Sequence, residues 1–270
     1  MIEAIFEYQF MQNAIIAIIL ASIVCGIIGV IIVEKKMVML SGGIAHTSYG
    51  GVGLGYLMGF EPIIGAIGFS VLSALGIGAV NKKGGKDADI IIAMFWSIGM
   101  ALGIIFIGMM PTYPPDMDSY LFGNILSVTR TDIIAMAVMT IIIVFITITL
   151  FNDWKAFLFD PEFSKIRGIK TTFLEYLLLV LIALTVVVLI RVAGIILVIA
   201  LLTAPAAIAK LYSNNLKKRM VISIFLGILI CFIGLWISYN FDLASGATII
   251  IVSGVVYFIG YLIKKIKCSL

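Results

Sequence analysis

Long apolar runs alternate with short polar breaks along the whole chain. The runs fall at about 11–33, 38–59, 62–80, 90–110, 131–151, 172–190, 193–209, 220–239 and 247–263. Each is near the ~20 residues that a helix needs to cross a bilayer. They are continuous rather than alternating every second residue, which excludes a membrane β-barrel. Backbone groups in lipid must be satisfied within the segment, so the runs predict helices. The expected fold is all-α, a polytopic transmembrane helical bundle filling one domain over residues 1–270. Eight or nine spans fit, because Arg191 and Val192 leave almost no loop between the sixth and seventh runs.

The breaks carry signals of their own. Prolines at 111, 114 and 115 predict a loop up to Asp118. Ser119 to Val128 is too short to span and too apolar for a plain loop, and reads as a short surface helix. The stretch from Asn152 to Lys170 is expected to be the longest cytoplasmic segment. Within it, Asp160 caps a helix start, Pro161 suits its first turn and Glu162 its positive end. Gly168 fits the helix end. A helix this short is marginal alone in water, so it is expected to dock, on its own chain or on a partner.

Composition fixes the solvent. Of 270 residues 63% are apolar and only 12% charged, with a mean hydropathy of +1.23. A soluble domain carries roughly 25% charged residues, so most of this surface must face lipid. Charge also predicts orientation, because short cytoplasmic loops collect Lys and Arg. Nine alternating spans with the C-terminus inside place 16 of the 18 basic residues in the cytoplasm, leaving out Arg130 and Arg191. The N-terminus is then outside. It carries Glu3 and Glu7 without an early base and makes a poor signal peptide. Glu3, Glu7, Glu61, Asp116, Asp118, Asp132 and Asp242 fall on the outer side. That field would concentrate cations, although acids outside can also simply mirror the exclusion of bases.

Two features within the spans carry candidate chemistry. Glycine recurs every four residues at Gly51, Gly55 and Gly59, and again at Gly99 and Gly103, a spacing that lets helices approach closely in lipid. The single histidine, His46, lies roughly 12 Å into the second span at ~1.5 Å per residue. Ionisable groups at that depth usually face a cavity or pathway. Gly42 and Gly50, one turn to either side, are expected to leave room for an ion and its waters. Imidazole is a common ligand for first-row metals, but one histidine cannot complete a tetrahedral site. A weak transit ligand, doubled across a dimer axis, and a structural histidine bonded to a backbone carbonyl on a neighbouring span both remain open. Cys25, Cys231 and Cys268 make no disulfide framework and read as free thiols.

Five stretches, in order along nearly the whole chain, resemble the permeases of ABC-type importers for zinc, manganese and iron(II). They are Leu40 to Tyr56, with a histidine followed by Gly, Val, Leu, Gly and Tyr; Asp118 to Leu126; Phe159 to Ile169; Val192 to Ala209; and Asp242 to Thr248. The resemblance implies a homodimer in a prokaryotic cytoplasmic membrane. It also implies a separate cytoplasmic ABC ATPase and an extracytoplasmic metal-binding protein. His46 matches the family's pathway histidine, and Asp160, Glu162 and Gly168 match the segment that couples to the ATPase. Many members carry Asp where this chain has Gly42, and often Pro where it has Gly50. Asn124 is a further candidate oxygen at the outer mouth. The expected cargo is a divalent metal ion, zinc first by its preference for nitrogen ligands, with manganese and iron(II) as alternatives. No permanently bound cofactor and no nucleic-acid partner are expected.

No Walker A pattern occurs, since Gly84, Gly85 and Lys86 are followed by Asp87. Energy must then come from a partner subunit or an ion gradient, and no catalytic constellation suggests an enzyme. A stand-alone secondary transporter or channel, and an ABC permease for cobalamin or iron chelates, are the competing readings.

Overall fold

The computed structural model describes residues 7–82, 88–111 and 118–269. The described residues are helical almost throughout, with only turns and short bends between helices. In chain order the helices are α1 (Gln9–Glu34), α2 (Val38–Met58), α3 (Pro62–Lys82), α4 (Ala88–Gly108), α5 (Asp118–Phe122) and α6 (Arg130–Thr149). They continue with α7 (Phe151–Phe159), α8 (Pro161–Ile166), α9 (Thr171–Tyr212), α10 (Leu216–Phe241) and α11 (Ser245–Ser269). A 3-10 turn at Ile125–Ser127 follows α5. Lys83, Lys86, Asp116, Glu3 and most of the proline-rich loop, all used above, lie outside the described residues.

Among the described residues, eight helices are long and apolar enough to cross a membrane. The second predicted span, 38–59, is not one of them, although α2 has 21 residues. Six of those residues are glycine, which lowers its hydropathy, and every residue from Leu40 to Gly53 is buried. The sixth and seventh runs join in α9, 42 residues long, whose helical path is interrupted at Gly194. A straight helix of that length would measure about 63 Å, twice the hydrocarbon thickness. The break divides it into two span-length arms.

The chain forms two compact units. One holds α1, α5, α6, the second arm of α9, α10 and α11. At one end of this unit the Gly123 backbone, with φ +78°, abuts Ala193 and Gly194, and the Phe122 carbonyl abuts Gly246. A Cβ on Gly194 or Gly246 would strike that backbone. Asn13 Nδ2 donates to the Val128 carbonyl at 3.0 Å beside this cluster. At the opposite end, Glu34 closes α1 and its carboxylate accepts from Arg219 Nη1 at 2.5 Å, with Lys210 Nζ at 3.3 Å. Arg219 Nε also donates to the Ser213 carbonyl at 2.6 Å. Cys25 and Cys231 are buried free thiols in this unit.

The other unit holds α2, α3, α4, α7, α8 and the first arm of α9. Small residues bring α2 against both neighbours. A Cβ on Gly50 would lie 2.8 Å from the Gly99 carbonyl oxygen, and one on Gly53 2.7 Å from that of Gly103. Gly51 meets Gly65 and Gly55 meets Pro62. The predicted stripe of Gly51, Gly55 and Gly59 is therefore partly corrected. Gly59 packs on nothing; at φ +74° it is the left-handed cap that ends α2.

Two expected segments also differ in detail. The surface helix predicted over 119–128 is split, because α5 stops at Gly123 and a 3-10 turn follows. The polar break after α6 is mostly helical, with Trp154 and Phe157 of α7 buried. Of the seven acids assigned to one face, Asp132 has a local task. Its carboxylate accepts from the Thr129 N–H at 3.0 Å and hydroxyl at 2.6 Å, a capping box that starts α6.

Candidate functional site

His46 sits on the enclosed helix α2 and is 7% exposed. Its Nδ1 lies 2.9 Å from the Gly42 carbonyl oxygen, one turn back. A carbonyl oxygen only accepts, so Nδ1 carries the proton and donates. The lone pair is then left on Nε2, the arrangement in which a histidine ligates a metal while its other nitrogen is held by a second-shell acceptor. The carbonyl belongs to α2 itself, not to a neighbouring span as the structural reading expects.

The space around the ring is not as the sequence implies. Gly50 does not border a void; its Cα face is filled by the Gly99 carbonyl and the Phe69 ring, whose nearest carbon would be 3.0 Å from an added Cβ. Glycine here serves close helix approach. One face of the imidazole is covered as well. The Trp96 ring of α4 stacks on it at 3.8 Å between centroids and 22° between planes. Thr47, the next residue, donates from Oγ1 to the Gly43 carbonyl at 2.7 Å and to the Phe95 carbonyl of α4 at 3.1 Å.

A cavity of about 320 Å³ opens beside this contact, lined by residues of α2, α3 and α4 such as Phe69, Leu72, Met94 and Ile98. Its walls are apolar and Leu72, Met94 and Ile98 are exposed on the protein surface. An ion would gain nothing there; the cavity suits hydrocarbon. Among the described residues no group of three or more His, Cys, Asp or Glu side chains comes together.

The second predicted element forms as the sequence implies. Asp160 Oδ1 accepts from the backbone N–H of Glu162 at 3.0 Å and of Phe163 at 2.9 Å, capping α8. Pro161 opens the helix. Gly168, at φ +79°, closes it, donating to the Lys165 carbonyl at 3.0 Å. Phe163 and Ile166 are 52% and 83% exposed. Arg167 lies over the Phe163 ring at 5.7 Å. Asn124 belongs to the other unit, where its side-chain oxygen accepts from the Leu126 N–H at 3.2 Å and caps the 3-10 turn.

Trp96, Thr47 and the Glu34, Arg219 and Lys210 cluster escape sequence reasoning. Their pairings join residues far apart in the chain, and only the position of Glu34 and Arg219 at the ends of apolar runs hints at a pair.

Eight hydrophobic spans among the described residues, with a buried helix that carries the imidazole, define a multi-pass α-helical membrane protein. The chain belongs to the ABC 3 transport family, whose model matches residues 7–264. It is 42% identical over 265 residues to an uncharacterized membrane protein of Synechocystis sp., covering 98% of this chain and 94% of that one. It is 36% identical over 261 residues to the manganese transport system membrane protein MntC of Listeria monocytogenes, covering 97% and 93%. Among solved structures it resembles PsaBC from Streptococcus pneumoniae in complex with Fab, with a TM-score of 0.87, 33% identity and 96% and 94% coverage.

Proposed function

We propose that this chain is the membrane-spanning permease of an ATP-driven importer of divalent metal ions, with manganese as the first cargo. The observation that carries the reading is the imidazole of His46, with Nδ1 donating to Gly42 and the lone pair on Nε2, on the buried stretch of α2 from Leu40 to Gly53. Manganese replaces the zinc expected from ligand preference alone. MntC of Listeria monocytogenes is named for manganese transport. A single imidazole is a weak site, and weak ligation lets a carried ion leave.

In this reading two copies of the chain supply two such histidines, which offsets the missing Asp at Gly42. A separate ABC ATPase supplies the energy and an extracytoplasmic metal-binding protein delivers the ion. The segment from Asp160 to Gly168, with Phe163 and Ile166 bare, docks on the ATPase. The N-terminus faces outward and the C-terminus the cytoplasm of a prokaryotic cell, as the basic residues imply.

The test is manganese uptake by cells carrying His46→Ala or His46→Gln, with permease amount and dimer formation matched to wild type. Both variants are expected to lose uptake. Wild-type uptake in both would remove His46 from the pathway.

A further inference from the structure

The Trp96 ring covers one face of the His46 imidazole, and neither motif nor charge pattern draws attention to it. We propose that Trp96 is a positioning residue for the pathway histidine: its indole, stacked on the imidazole, fixes the ring plane and so the direction from which a divalent cation reaches Nε2. The proposal rests on the reading of His46 as a transit ligand.

Three contacts make the pairing a built arrangement. Gly50 and Gly53 of α2 meet the Gly99 and Gly103 carbonyls of α4 at backbone distance, which sets the separation of the two helices. The Thr47 hydroxyl bonds the Phe95 carbonyl at 3.1 Å and fixes their relative height, one residue from both His46 and Trp96. The Nδ1–H bond to Gly42 fixes the tautomer and one rotation of the ring. The remaining freedom is rotation of the imidazole plane, and a stacked indole 3.8 Å away removes it. With one nitrogen bonded and one face covered, an ion must approach in the ring plane at Nε2.

Simple packing between α2 and α4 needs only apolar bulk, part of which leucine keeps although it is smaller than tryptophan. Positioning needs a flat ring.

The test uses the full-length permease in lipid nanodiscs and in cells. Trp96 emission is taken as the difference between wild type and Trp96→Phe, and Co²⁺ is the quenching probe with Mn²⁺ as competitor. Co²⁺ is expected to quench this emission, Mn²⁺ to relieve the quenching, and His46→Ala to abolish it. In uptake, Trp96→Leu is expected to fall about tenfold, as when the support of a metal ligand is removed, at equal amounts of permease. Trp96→Phe, which keeps a ring for stacking, is expected to retain most uptake. Undiminished uptake in Trp96→Leu, or Co²⁺ quenching that is absent in wild type or unchanged in His46→Ala, would overturn the role of Trp96. Wild-type uptake in His46→Ala would instead overturn the underlying reading of the histidine.

Discussion

Glu34 ends α1 and Arg219 begins α10, each with its charge at the helix end where the macrodipole opposes it. They persist because they neutralise one another, with Lys210 as a third partner. Arg219 is 7% exposed, and removing one partner of a buried pair strands the other charge. Glu34→Ala is therefore predicted to destabilise the protein by about 3 kcal/mol, read as a drop in the thermal unfolding midpoint of the purified chain. The double replacement Glu34→Leu with Arg219→Leu is predicted to be milder, since no buried charge is left unmatched. A double variant worse than Glu34→Ala would contradict this account.

Legibility at the same scale follows the range of the chemistry. Asp160, Pro161 and Gly168 were readable because a cap is a contact among neighbours in sequence. The Gly42 bond to His46 is equally local, four residues apart. Trp96 was not readable, because its place over the imidazole depends on the register between α2 and α4. The space expected around Gly50 was misjudged for the same reason: a missing side chain can admit an ion or a neighbouring helix, and here Phe69 and Gly99 fill it.

At the scale of elements, the apolar runs locate the long helices, including α2, whose middle is buried rather than lipid-facing. Helix α2 falls short of the other spans in hydropathy because six of its 21 residues are glycine. Helix α9 is a second case. Its two apolar arms were evident, but the break falls at Gly194, with φ 70° and ψ 162°, where only glycine is comfortable and where Gly123 presses on it. Gly194→Ala should cost about 1–3 kcal/mol in backbone strain alone, with the clash against Phe122 and Gly123 in addition. The expected result is a clear loss of folded, membrane-inserted protein. Gly254→Ala in α11, where a Cβ meets nothing, is the matched control and should leave the amount unchanged. Equal loss in both variants would mean that the break is not the cause.

Helix α8 belongs to this scale too. Its cap and its exposed Phe163 and Ile166 make a small, fixed knob whose apolar tip has no cover within the described residues of its unit. Reversing Glu162 to Lys puts a cation at the helix N-terminus, opposing the dipole, and changes the charge presented to a docking groove. Uptake and co-purification of the ATPase with the permease are both predicted to fall. Full uptake with unchanged co-purification would count against docking through this helix.

At the scale of the whole molecule, nearly all of the chain matches the ABC 3 transport family. No Walker A sequence occurs in it, so an ATP-driven cycle needs a second protein. A gradient-driven carrier or a channel would need none, and a chelate importer would be indifferent to residue 46. The most direct measurement separates these with one preparation. Proteoliposomes are made with this chain alone and with its cognate ATPase, the metal-binding delivery protein is present outside throughout, and manganese accumulation is followed with and without ATP inside. The account predicts accumulation only when permease, ATPase and ATP are together, and its loss in His46→Ala. Manganese movement through the chain alone, at the rate seen with ATPase and ATP, would contradict it.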